Sequence, residues 1–233
     1  MTDSWQALVD DGNAYLVRNR AGIGHIYDPV MEALDVVHST HPITRALEVG
    51  CSTGFRLEKI RTQYGAACFG LEAGNDPVID GRAQYPHVTL EQGLAPEGLH
   101  QWRGSTFDCI ILGFFMYLLP RPALFELAAA VDELLADHGH LVVFDFMYPS
   151  PMSSSYVHNE ALTTYKMDPS APWLWSPTYR LVSRTVYSLQ DSIERNDEPG
   201  NWKTLDVIRK LPVKAAYPAL AAVRSEHDRS PQA

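Results

Sequence analysis

The sequence predicts an α/β fold: a doubly wound, mostly parallel seven-stranded sheet, with helices ahead of it and an antiparallel hairpin at its carboxyl end. Three observations carry this. From Arg45 onward short apolar runs alternate with amphipathic segments, and parallel strands need such crossover connections. The first apolar run stops at a turn, Glu48-x-Gly50-x-Ser52-x-Gly54, placed where a strand hands over to a helix. After Phe146 two β-branched and aromatic runs flank a long polar loop, the pattern of a hairpin.

Taken in order, residues from about Trp5 to His38 are expected to be helical, because Leu8, Val9, Tyr15 and Leu16, then Val30, Ala33, Leu34 and Val37, recur near helical spacing. The expected strands are Ala46–Val49, Ala67–Leu71, Val88–Leu90, Phe107–Leu112 and Leu141–Phe146. Between them fall helices over Phe55–Tyr64, near Pro77–Gln84, briefly after Ala95, and from Pro122 to Ala136. In the last of these Leu124, Leu127, Ala128, Val131, Leu134 and Leu135 form one stripe, with Pro122 at its start and Gly139 past its end. Met147–Pro177 is rich in proline, serine and aromatics. Tyr179–Tyr187 and Trp202–Lys210 then make the hairpin across Gln190–Asn201, and Ser225–Ala233 is expected to be disordered. The organisation that follows is an N-terminal helical arm or lid over 1–43, a ligand-binding domain over 44–212 with a substrate-side insertion at 147–177, and a partly disordered tail over 213–233.

Composition bounds the function. A chain of 233 residues, 45% hydrophobic and 20% charged, buries one full core. Its formal charge of −9 gives no general attraction to phosphate backbones or anionic lipid, which disfavours nucleic acid without excluding it. Cys51, Cys68 and Cys109 have no metal-knuckle spacing and sit in or beside apolar runs, as small buried thiols in a reducing compartment would. The polar, acidic start lacks a signal-peptide layout and no apolar run reaches the length of a membrane span, so a soluble cytoplasmic protein is expected.

The glycine turn names a ligand class. In an open parallel sheet ligands settle beyond the carboxyl ends of the strands, where strand order reverses. A dinucleotide turn wants G-x-G-x-x-G; counting from Gly50, Ser52 and Phe55 occupy the second and third glycine positions, so that fingerprint fails. A carboxylate at Glu48 repels pyrophosphate but suits an ammonium. S-adenosylmethionine (SAM) carries an ammonium, a carboxylate and a sulfonium, and no phosphate. Glu72, closing the second strand, is placed to accept hydrogen bonds from ribose hydroxyls. Gln92, Gly93 and Leu94 follow the third strand, where an adenine edge would lie. Leu112 and Gly113 lead into Phe114-Phe115-Met116-Tyr117 beside the reacting sulfur.

The order E-x-G-x-S-x-G, G-L-E, F-D-C-I-I-L-G-F-F-M-Y-L-L-P, then H-G-H-L-V-V-F-D-F resembles the class I, Rossmann-like SAM-dependent methyltransferases over roughly Arg45 to Phe146. More loosely, Tyr15-Leu16-Val17-Arg18-Asn19 and Tyr148-Pro149-Ser150-Pro151 are similar to segments of small methyltransferases of surface-sugar biosynthesis. Ser52 departs from the family's usual glycine and should be tolerated there if its φ is negative. The resemblance implies SAM as cofactor and methyl transfer to an oxygen or nitrogen of a small molecule: a sugar, sugar nucleotide or secondary metabolite. Alternatives are a nicotinamide oxidoreductase and a non-catalytic SAM-binding protein. The arm residues Tyr15, Arg18 and Asn19 would fold over the cofactor. Tyr117, His158 and Tyr148 are the candidate bases, Tyr117 leading, with Asp145 behind them. His138 and His140 are structural, and Trp173-Leu174-Trp175 is expected to cover a sheet edge or interface. No metal, nucleic-acid or membrane partner is called for, and a homodimer stays open.

Overall fold

The structure, a computed structural model, describes residues 2–22, 28–188 and 202–219. Two helices lead: α1 (Thr2–Asn19) and α2 (Pro29–Thr40). The expected single helical stretch is broken between them; α2 starts afresh, with Pro29 in its first turn and the Asp28 side chain accepting from the Val30 amide. The alternating region gives β1 (Arg45–Val49), α3 (Phe55–Tyr64), β2 (Ala67–Glu72), α4 (Asn75–Gln84), β3 (Thr89–Gln92), β4 (Phe107–Gly113), α5 (Arg121–Leu134) and β5 (Leu135–Phe146). Then come β6 (Met152–Tyr156), β7 (Asn159–Lys166), α6 (Ala171–Leu174), β8 (Tyr179–Ser188), β9 (Trp202–Lys210) and α7 (Val213–Ala216).

One sheet runs β3-β2-β1-β4-β5-β9-β8. Its first five strands are mutually parallel, and β9 is antiparallel to both β5 and β8. The expected seven-stranded sheet with its terminal hairpin is thus observed. The polar turn at Gln190–Asn201 and the tail at Ser225–Ala233 lie outside the described residues.

Alternation along the strands splits the core in two. Leu47 and Val49 face α5, together with Leu71, Ile110, Leu112, Leu141 and Val143. Ala46, Ile111 and Val142 face α2 and α3, against Leu34, Leu57 and Ile60. Glu48 shares the parity of Ala46, so its side chain is delivered toward α3 rather than α5.

Two expectations change. The helix over Pro122–Ala136 ends at Leu134, and the chain turns directly into a longer β5 with His138 in the left-handed region at φ 68°. Within Met147–Pro177, where the sequence suggested no strands, β6 and β7 form a separate two-stranded sheet.

Candidate functional site

Strand order reverses at β1, between β2 and β4, and a solvent-open cavity of about 1000 Å³ sits beyond the carboxyl ends of these strands. Its walls come from α1, from the turns after β1, β2 and β4, and from the segment after β3.

The turn after β1 is built by two glycines and a serine. Gly50 (φ 74°) returns its amide to the Leu71 carbonyl at 2.8 Å, and a Cβ there would stand 3.1 Å from the Gly113 carbonyl oxygen. Gly54 (φ 76°) starts α3. Ser52 is the correction: it has φ 50°, positive rather than negative. A neighbouring carboxylate holds it there. The Ser52 amide donates to Glu72 Oε2 at 2.8 Å, and the Gly74 amide donates to Glu72 Oε1 at 2.9 Å. Glu72 therefore ties the turn after β1 to the turn after β2, and charge-assisted bonds of this kind exceed neutral ones.

Glu48 is buried and ion-paired to Arg56 Nη1, while Arg56 Nε reaches Asp28 at 2.8 Å. Burial pushes the Glu48 carboxyl up to about 7 against the pull of Arg56. Burial acts to lower Arg56, but Glu48 and Asp28 outweigh it and leave the guanidinium above its ordinary value. Burial also raises Glu72, opposed by its amide donors. Two polar atoms on this wall, Glu48 Oε2 and Ser52 Oγ, are buried without a hydrogen-bond partner; buried groups of that kind call for a ligand or ordered water.

On the opposite wall α1 contributes Leu8, Asp11, Gly12 and Tyr15. Gly12 lies directly on Glu72 and Gly74, and Asn13 Oδ1 caps α4 by accepting from the Asp76 amide at 3.0 Å. The β6–β7 pair holds α1 from the other side through the cluster of Ala7, Leu118, Tyr156 and Leu162. Tyr117 lines the cavity floor, and its hydroxyl donates to the Tyr156 hydroxyl at a long 3.4 Å. Burial, reinforced by Tyr156, raises the Tyr117 phenol.

The cavity brings together Tyr15, Glu48, Gly50, Ser52, Glu72, Gly93, Leu94, Gly113 and Tyr117. Other expected residues stand off it. Leu112 is fully buried in the core, and Gly54 packs on Leu90. Gln92 turns away to donate to the Ala73 carbonyl. Arg18 pairs with Asp11 at 3.0 Å behind the wall, and Asn19 bonds the Tyr15 carbonyl. His158 packs on Tyr156 at 5.3 Å, and Tyr148 on Trp202 at 5.5 Å. Asp145 is buried beneath the Met116–Leu118 turn, accepting from the Met116 and Phe146 amides, and burial pushes it up to about 7. Sequence reasoning missed Asp11, Gly12, Phe55, Arg56 and Ala95. A glycine inside the α1 pattern, unfavourable by about 1 kcal/mol in a helix, was the available signal for Gly12. Among the described residues no group of three or more His, Cys, Asp or Glu could hold a metal ion.

The arrangement is the Rossmann-like fold of SAM-dependent methyltransferases, and solved structures of such enzymes share it. DhpI in complex with SAH superposes with a TM-score of 0.58 at 13% identity, over 91% of this chain and 99% of that one. SAM-bound CalS10, an amino pentose methyltransferase from Micromonospora echinaspora, gives 0.55 at 18% identity over 85% and 96%. The N-methyltransferase NodS from Bradyrhizobium japonicum gives 0.57 at 14% identity over 78% and 94%. No family model and no curated protein matches the chain.

Proposed function

We propose that the chain is a SAM-dependent methyltransferase acting on a small molecule. The observation that carries this is the pair of buried carboxylates on the cavity wall, Glu48 with one free oxygen beside Arg56, and Glu72 one strand away. An amino-acid end needs an anion and a cation together: Glu48 Oε2 suits its ammonium and Arg56 its carboxylate. Glu72 faces the position of a ribose, and the small wall at Gly93 and Gly113 leaves room for flat and thin parts of an adenosyl ligand. When bound, SAM supplies an activated methyl group. The protein aligns the acceptor and keeps water away. Tyr117 stays protonated and orients the acceptor as a donor. The arm over residues 1–43 acts as the lid, through α1.

A nicotinamide cofactor fits less well. Its pyrophosphate would need the amides that open α3, yet the Ser52 amide is committed to Glu72 and the Glu48 carboxylate stands nearby. Supporting a sugar or secondary-metabolite acceptor is the fold shared with an amino pentose methyltransferase. A cytoplasmic location accords with the described residues, where no helix is long and apolar enough to cross a membrane. Titration calorimetry with S-adenosylhomocysteine tests the reading. The wild type should bind, and Glu72→Gln, which loses charge toward both amides and ribose, should bind weaker by about 1.5–3 kcal/mol. Absence of heat at millimolar ligand, with NAD binding instead, would overturn it.

A further inference from the structure

The floor of the cavity carries a charged group that cofactor binding does not use. Asp11 lines it from α1, is only 7% exposed, and is held by Arg18 at 3.0 Å. Around it stand Tyr156, whose hydroxyl meets both Arg18 and Tyr117 at 3.4 Å, and Tyr117 itself. Asp11 and Tyr117 both line the cavity, on elements other than those that carry the Glu48–Arg56 pair.

We infer that this end is an acceptor subsite for an amine, with Asp11 as its charge partner and nitrogen as the methylated atom. The inference rests on the methyltransferase reading above. A hydroxyl acceptor must lose a proton to a base in reach, and the cavity offers none that is poised. The phenols of Tyr15 and Tyr117 and the Cys51 thiol are all raised by burial. Glu48, although raised to about 7, is tied to Arg56 with its free oxygen given to the cofactor's ammonium, Glu72 holds two amides, and Asp11 is pinned by Arg18. His158 is off the cavity.

An amine that has given its proton to solvent before docking needs no base within the site, because its electron pair is then free. The N–C bond forms as the C–S bond breaks, the bonding pair stays on sulfur to leave a thioether, and the positive charge passes from sulfur to nitrogen. The product ammonium afterwards releases a proton to solvent. A carboxylate fixed beside the nitrogen stabilises the charge as it develops there, which is the role left to Asp11. The cavity lining agrees in sign, with three carboxylates (Asp11, Glu48, Glu72) against one guanidinium (Arg56).

Sinefungin tests this without a known acceptor. In it a carbon replaces the sulfur and bears an amine where the transferred methyl would stand; otherwise it matches S-adenosylhomocysteine. By calorimetry the wild type should prefer sinefungin about tenfold, the worth of one charge-assisted contact. Asp11→Asn should erase that preference while keeping S-adenosylhomocysteine affinity, and Asp11→Glu should retain part of it. Equal affinities in the wild type, or a preference unchanged in Asp11→Asn, would overturn the inference and leave the cofactor reading intact. If neither ligand binds the wild type, the methyltransferase reading itself fails.

Discussion

Replacing Gly12 by alanine tests whether α1 is clamped on the cofactor wall. The added Cβ would stand 2.8 Å from Glu72 Oε1 and 2.8 Å from the Gly74 amide nitrogen. Ordinary contact begins near 3.4 Å, so either α1 retreats by over half an ångström or Glu72 gives up its grip on the Ser52 and Gly74 amides. In an isolated helix the substitution is favourable by about 1 kcal/mol, whereas overpacking costs about 1–3 kcal/mol. The net effect is a docked lid weakened by up to about 2 kcal/mol. With α1 in its proposed role as lid, ligand binds the closed arrangement and its apparent affinity falls with the closed fraction, by about threefold to tenfold. Calorimetry with S-adenosylhomocysteine reads the loss, and thermal unfolding should show no gain in midpoint. A raised midpoint together with unchanged affinity would show that α1 is a free helix at this position, and the lid argument would fail.

Two further predictions concern groups beneath the cavity. Asp145 has a folded pKa of about 7, raised by burial above its unfolded value of about 3.9. For an acid raised in this way the native state holds the proton more tightly. Its stabilising contribution is full below the unfolded value and lost as pH climbs through the folded one. The stability of the wild type minus that of Asp145→Asn should therefore drop between about pH 4 and pH 7, by an amount on the order of 3 kcal/mol. A denaturant series at several pH values that gave a flat or rising difference would contradict it. Tyr117→Phe removes a donor and no base, so methyl transfer should slow only about threefold to tenfold, with the pH–rate profile unchanged in shape. Disappearance of a basic limb in the variant would instead make the phenol a proton acceptor.

What could be read in the sequence was what depends on local chemistry. The order of strands and crossovers was legible because each buried strand is bounded by a turn with its own residue signature, and Glu48, Gly50 and Glu72 stand at strand ends. Ser52 was misjudged for a reason that rules of local propensity cannot supply: Glu72, distant in sequence, bonds its amide in the left-handed conformation. Likewise the β6–β7 pair was hidden because Met152-Ser153-Ser154-Ser155-Tyr156 is mostly polar and exposed. Its hydrophobic reason for existing, the contact of Tyr156 and Leu162 with Ala7, lies in α1.

The same long-range logic explains why Asp11 and Tyr156, at the proposed acceptor end, were invisible, whereas Tyr117 and the strand-end carboxylates were not. The strand-end carboxylates are fixed by the sheet, whose register brings Glu48 opposite Gly70 and Ile111 and leaves Glu72 at the close of β2. The proposed acceptor wall is assembled from three segments far apart in the chain, carrying Asp11, Tyr117 and Tyr156, joined by an apolar cluster, long hydroxyl contacts and the Arg18 bridge. A wall made of separate elements can move apart, whereas a strand end cannot. On the proposed reading substrate choice resides where α1, the turn after β4 and β6 meet, and substitutions there should change the acceptor accepted while sparing cofactor affinity.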